Sequence, residues 1–207
     1  DGAETVRLVE AAGRNALAVM CDVSNEASVA AMAKAVQQKF GRADIVVNCA
    51  GIYPQLDFAD MTFADWRKVL SINLDGTFLV TSAFVPGMRA RKWGRIVNMA
   101  SSTFGSVTTG FAHYVASKGG VIGFTRALAG DLAADGITVN AIAPGLVLVE
   151  ATEYVPESRH RLYLEQRALQ REQLPADVSG AVLFALSDLS RFVTGQLLPV
   201  NGGFVFN

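Results

Sequence analysis

Short apolar runs alternate with stretches of helical periodicity along the chain. The runs are continuous rather than alternating, as expected of strands buried on both faces of a parallel sheet. They fall at residues 16–21, 44–48 (DIVVN), 95–99 (RIVNM), 137–143 (ITVNAIA) and 197–200. Between them, apolar spacing predicts helices over residues 26–40, 63–88, 111–134, 159–169 and 177–186. Residues 4–12 read as the end of another helix, stopped by Gly13. Ser24 is the expected N-cap of the helix at 26–40, and Gly41 its stop. A break is expected within 63–88, near Asp75-Gly76. Strands alternating with helices predict an α/β fold, a doubly wound parallel sheet of Rossmann-like, three-layer αβα type. No repeat or linker divides it, so residues 1–207 are expected to form a single domain.

Composition narrows the function classes. The 207 residues carry 18 Lys plus Arg against 19 Asp plus Glu, a net charge of −1, which does not suit a nucleic-acid-coating or polybasic membrane-binding protein. A hydrophobic fraction of 51% with only 18% charged residues excludes disorder. Two cysteines, Cys21 and Cys49, are too few for a disulfide framework and fit a reducing, cytoplasmic setting. No stretch is uninterruptedly apolar over the roughly 18 residues that span a bilayer. No Cys/His cluster has metal-ligand spacing, so no metal site is expected.

In an open parallel sheet, ligands bind beyond the carboxyl ends of the strands. That topology selects Asp22, Asn48 to Gly51, Asn98 to Ser102 and Pro144 to Val147. Tyr114 and Lys118, in YVASK, stand four apart and share one face of a helix. An ammonium beside a phenol favours the phenolate, which makes Tyr114 a candidate acid/base. Ser101, just after RIVNM, offers a hydroxyl at a strand end. Asn73 sits in a helical pattern where asparagine is mildly unfavourable, so a contact at a helix break is its expected purpose. Cys49-Ala50-Gly51 keeps the backbone slim enough for close approach by a flat ligand. Each feature alone has an ordinary reading as loop polarity, turn geometry or chance spacing.

Their combination, in this order and with these gaps, resembles the short-chain dehydrogenase/reductase family over residues 22–203. The resemblance implies an NAD- or NADP-dependent oxidoreductase interconverting a ketone and a secondary alcohol. It assigns proton transfer to Tyr114. It gives Lys118 the lowering of the tyrosine pKa and a hold on the nicotinamide ribose. Ser101 would hold the substrate oxygen, and Asn73 a water that links Lys118 to solvent. It places Asp22 and Val23 at the adenine, and Asn48, Cys49, Ala50 and Gly51 under the adenosine ribose. Pro144, Gly145 and Val147 would flank the nicotinamide. A homodimer or homotetramer is implied, formed through the helices at 63–88 and 111–134. Some aromatic positions are similar to secondary-alcohol dehydrogenases acting on aryl ketones. Residues 52–54, Phe104, Phe111 and 146–163 are expected to line or cover the substrate site. His113 is expected on the helix surface, and His160 in solvent.

The sequence also departs from the family pattern. Cys49 stands where the second Asn of an Asn-Asn-Ala-Gly turn is usual, and Val149 where a nicotinamide-binding Thr is often found. The serine could be counted as Ser101 or Ser102. The Gly-rich phosphate loop and two strand-helix units of the family are not in the sequence. Those strands would lie mid-sheet between the runs at 16–21 and 44–48. The chain thus reads either as a piece of a longer protein or as a truncated one that binds dinucleotide poorly. Two further readings stay open: a 3-oxoacyl-thioester (acyl-carrier-protein) reductase, and a non-catalytic scaffold with the family fold.

Overall fold

The computed structural model describes residues 2–153 and 155–206. Its elements are helix α1 (Gly2–Ala11), helix α2 (Glu26–Phe40), strand β1 (Ile45–Asn48), helix α3 (Phe63–Leu70), helix α4 (Gly76–Arg91), strand β2 (Gly94–Met99), helix α5 (Ala112–Leu132), strand β3 (Ile137–Pro144), helix α6 (Glu157–Gln166), helix α7 (Pro175–Leu186) and strand β4 (Leu197–Val200). The four strands pair in the order β1-β2-β3-β4, all parallel. Parallel pairing requires crossovers, and the helices supply them on both faces. Helices α4 and α5 close one face over Val46, Ile96, Ile137 and Val139. Helix α7 closes the other over Val97 and Ile142. The result is the expected three-layer Rossmann-like α/β fold.

Local chemistry explains the element ends. Helix α2 starts at Asn25, whose side chain accepts the Ser28 N–H, and ends at Gly41 with φ 76°. Asn25, not Ser24, is therefore the N-cap: Ser24 is occupied by hydrogen bonds to the Asp22 carboxylate. Helix α3 starts in a capping box of Thr62 and Asp65. The break expected near Asp75-Gly76 is a π turn, Ser71–Asp75, between α3 and α4. The stretch Phe63–Arg91 is long and apolar enough to cross a membrane by length and composition, but that turn interrupts it, and it packs against α5, β1 and β2.

One expected strand does not form. Residues 16–21 have no ladder partner among the described residues, and Met20 is fully exposed. Beside them β1 is a sheet edge, with Ile45 and Val47 exposed. An extended segment becomes a strand only where a neighbour satisfies its N–H and C=O groups, and none adjoins this one.

Candidate active site

The carboxyl ends of β2 and β3 and the first turns of α5 converge on one place. Ser101 follows β2 in extended backbone, φ −162° and ψ 147°. Extended residues send successive side chains to opposite sides. Ser101 therefore faces a cavity of about 250 Å³ that Tyr114 also lines. Ser102 points away and donates to the Pro144 carbonyl at 2.8 Å. The Ser101 hydroxyl accepts from the Thr103 hydroxyl at 2.9 Å and from the Thr103 N–H at 3.2 Å, which fixes its oxygen toward the cavity.

Tyr114 and Lys118 lie one turn apart on α5, as their spacing requires. The Lys118 ammonium is 5.7 Å from the centre of the Tyr114 ring and donates to the Met99 carbonyl at 2.7 Å. Lys118 is only 5% exposed. Burial disfavours its charged form and lowers its pKa to about 8, against a smaller opposing pull from Cys49. The Tyr114 ring is held edge-on by Tyr53 at 6.1 Å and Phe111 at 6.0 Å.

Asn73 is fully buried in the π turn. Its amide clamps the loop after β1, accepting from the Ile52 N–H at 2.8 Å and donating to the Ile52 carbonyl at 2.9 Å. It also donates to the Ser117 hydroxyl, which in turn donates to the Tyr114 carbonyl. The residue thus ties that loop to the helix carrying Tyr114. A Cβ at Gly51 would lie 3.2 Å from Asn73 Oδ1 and 3.6 Å from Lys118 Nζ. The bare Gly51 leaves open the space that both groups face.

Seven of the expected cofactor contacts fall in two cavities, and Gly51 lines a third with Ile52 and His113. Gly145, Val147 and Tyr114 line the one beside Ser101. Val23, Asn48, Cys49 and Ala50 line a second, of about 160 Å³, at the end of β1. Lys118 and Gly51 adjoin on α5 and the loop after β1. Asn48 reaches this cavity through its backbone side, because its amide is buried between Thr81 and Asn98. Asp22 is exposed and lines neither cavity. Ser24 hydrogen bonds to its carboxylate and holds its pKa below the usual range. The Pro144 carbonyl is taken by Ser102, and Gly145 N–H bonds both Val200 and Gln173.

Several substrate-side residues stand elsewhere than expected. Phe104 packs over Gly119 rather than lining the cavity. His160 is half-buried. His113 is fully buried, not on the helix surface, and its Nδ1 accepts the Tyr114 N–H at 2.9 Å. Burial lowers its pKa, while nearby Asp65 opposes that. The His113 side of the helix runs here beneath the loop at 52–56, while Ala112 and Ala116 keep the other side in water. Sequence reading missed Thr103, Gln55 and Gln173, polar loop residues with no periodicity to mark them. Thr152 lines the cavity, but its hydroxyl bonds the carbonyls of Val147 and Val149. Among the described residues no cluster of His, Cys, Asp or Glu could hold a metal.

Comparison with known proteins identifies the family. Residues 1–205 match the family model described as enoyl-(acyl carrier protein) reductase. The chain is 40% identical over 199 residues to the (2S)-[(R)-hydroxy(phenyl)methyl]succinyl-CoA dehydrogenase subunit BbsD of Thauera aromatica, covering 96% of this chain and 80% of that one. It is 37% identical over 203 residues to the 3-oxoacyl-[acyl-carrier-protein] reductase FabG of Pseudomonas aeruginosa, covering 98% and 82%. A crystal structure assigned as a short-chain alcohol dehydrogenase of Sinorhizobium meliloti 1021 superimposes with a TM-score of 0.93 at 36% identity, covering 98% and 81%. Near end-to-end matches at this identity, on this strand order, place the chain in the short-chain dehydrogenase/reductase family of oxidoreductases acting on CH–OH donors.

Proposed function

We propose that the protein interconverts a hydrophobic ketone and its secondary alcohol with NAD or NADP, using Tyr114 as acid/base. The observation that carries this reading is the shared cavity: the Ser101 hydroxyl and the Tyr114 phenol face one space, with the Lys118 ammonium buried behind the phenol. Bare Gly51 beside Lys118, and slim Ala50 and Gly145 at the strand ends, fit a flat dinucleotide laid across the sheet. When bound, the nicotinamide supplies the hydride acceptor or donor.

The remaining work falls to the chain. Ser101 donates to the substrate oxygen and holds it near Tyr114. In reduction Tyr114 gives its phenolic proton to that oxygen as negative charge develops there; in oxidation it takes the proton back. Lys118, carrying its charge below about pH 8, favours the phenolate and donates to ribose hydroxyls. Asn73 positions the loop after β1, and its carbonyl oxygen faces the space beside Lys118 where a relay water would sit. Tyr53, Phe111, Leu146, Val149 and Val155 make the cavity apolar, which suits an aryl or alkyl ketone. Val23, Cys49 and Ala50 take the adenosine end, and Val147 the nicotinamide end, with Asp22 and Pro144 supporting them through backbone.

A second reading, a 3-oxoacyl-thioester reductase, is favoured by the names of relatives such as the Pseudomonas protein. We place the protein in the cytoplasm as a homodimer or homotetramer. Phe78 of α4, exposed and edge-on to Phe124 of α5, supports contact with another copy through these helices.

Titration with NADH and NADPH, followed by turnover of an aryl ketone and of an acetoacetyl thioester, tests the proposal. Tyr114→Phe is expected to lose about 100- to 10,000-fold in kcat while dinucleotide affinity stays nearly unchanged. Normal turnover in that variant would sink the assignment, and faster turnover of the thioester would move the second reading to first place.

A further inference from the structure

An outer groove of about 350 Å³ adjoins the cavity holding Ser101 and Tyr114: Gln55, Pro156, Arg159 and Tyr163 line both, and the groove mixes polar residues such as Thr109 with apolar ones such as Leu162. Arg159 lines both spaces and stands at their junction. Among the described residues lining either one, it is the only charged side chain. Its guanidinium lies 5.3 Å from the centre of the Phe111 ring, and Phe111 in turn contacts Tyr114 at 6.0 Å. The cation is therefore held at a set reach from the phenol, no farther than these two ring contacts laid end to end.

Arg159 has no ion pair among the described residues, although its helix neighbour Arg161 is paired with Glu157. A half-buried cation in a space without carboxylates is best satisfied by an anion that enters with the ligand, and its planar fork matches a carboxylate or phosphate in two-point contact.

We propose that Arg159 receives an anionic substituent of the substrate, a carboxylate or a phosphate ester, while Ser101 and Tyr114 hold the carbonyl. The substrate class is then an oxo acid or oxo phosphate, or the matching hydroxy compound, with an apolar spacer between its two polar ends. The spacer lies along Phe111, Val155 and Tyr163. This inference rests on the oxidoreductase reading of the same site. It adds a specificity residue that discriminates charged from neutral ketones of equal size.

The test uses 6-oxo-6-phenylhexanoate, its methyl ester, and a phosphate monoester of 5-hydroxy-1-phenylpentan-1-one. Binding is measured by calorimetry with oxidised dinucleotide present, for wild type, Arg159→Met and Arg159→Lys. Turnover with reduced dinucleotide is measured separately. Met keeps an unbranched stem against Phe111 without the charge, and Lys keeps the charge without the fork. Wild type is expected to bind at least one anion about 10- to 100-fold more tightly than the ester. Arg159→Met should remove that preference, and Arg159→Lys should retain part of it. Whichever anion shows the preference identifies the source of the charge. Equal binding of anions and ester by wild type, including no binding at all, overturns the proposal, as does a preference that survives in Arg159→Met. A preference in binding without turnover of any compound leaves the Arg159 assignment standing and overturns the proposed reading of this site as one that reduces hydrophobic ketones.

Discussion

At the scale of single residues, Lys118 sets function against stability. It is an ammonium buried for the sake of its neighbours, with its pKa lowered from 10.5 to about 8 by that burial. Between those two pH values the unfolded chain holds a proton that the folded chain releases. Stability therefore rises with pH across that window, and the cost of burying the charge is fully present below about pH 8. The difference corresponds to about 3 kcal/mol at most. Lys118→Met is expected to abolish turnover without lowering stability at pH 7, and to flatten the rise in stability between pH 8 and 10.5. Urea denaturation at a series of pH values checks this; a variant less stable than wild type at pH 7, with the slope intact, contradicts it. The position of Lys118 beside Tyr114 was legible in the sequence because four residues are about one turn of helix. The burial of His113 was not, because helical spacing reports which residues share a face but not what covers that face. The loop at 52–56 and Asp65 of α3 cover it, and both are distant in sequence.

At the scale of elements, the π turn between α3 and α4 is the device that delivers Asn73. An extra residue per turn rotates Asn73 inward, where its amide can hold Ile52, and it lets Gly76 meet the segment after residue 21. The break itself was legible from Asp75-Gly76, since glycine in a helical run needs a reason. Its π character was not, because no residue pattern distinguishes such a turn from a simple kink. The N-cap of α2 shows the same limit on a smaller scale. Ser24 and Asn25 are both good capping types, and the choice between them was made by the Asp22 carboxylate, which occupies the serine. Gly76 has a testable consequence. A Cβ there would lie 2.8 Å from Val23 Cγ2 and 3.2 Å from the Val23 carbonyl, so backbone must move. Gly76→Ala is expected to cost about 1–3 kcal/mol of stability. It should also weaken dinucleotide binding more than binding of the ketone, because Val23 lines the cavity at the end of β1 and not the one beside Ser101. Thermal denaturation and parallel titrations separate the two effects; equal weakening of both ligands contradicts this placement.

At the scale of the whole molecule, the sheet is well formed at β2 and β3 and open at β1. Runs that could be read as strands from sequence alone became strands wherever a neighbour was available, at residues 45–48, 94–99, 137–144 and 197–200. The run at 16–21 has the same apolar character but has no ladder partner among the described residues. The consequence is an edge of unpaired backbone with apolar side chains: Ile45 is 45% exposed and Val47 41%, while Val46 between them is buried beneath α4. An exposed, apolar edge strand is a template for pairing with another chain, and natural edges resist this with charged side chains. Ile45→Lys places a charge on that edge without touching the cavity that Val47 lines. It is expected to lower the fluorescence of a hydrophobic dye bound to the 207-residue chain and to slow the growth of turbidity on standing. Stability should change by less than about 1 kcal/mol, since the side chain is already half in water. Dye binding and turbidity equal to wild type would show that the edge is not the sticky surface of this chain. The exposed aromatic residues far from it, Phe192 and Phe206 among them, would then be the place to look.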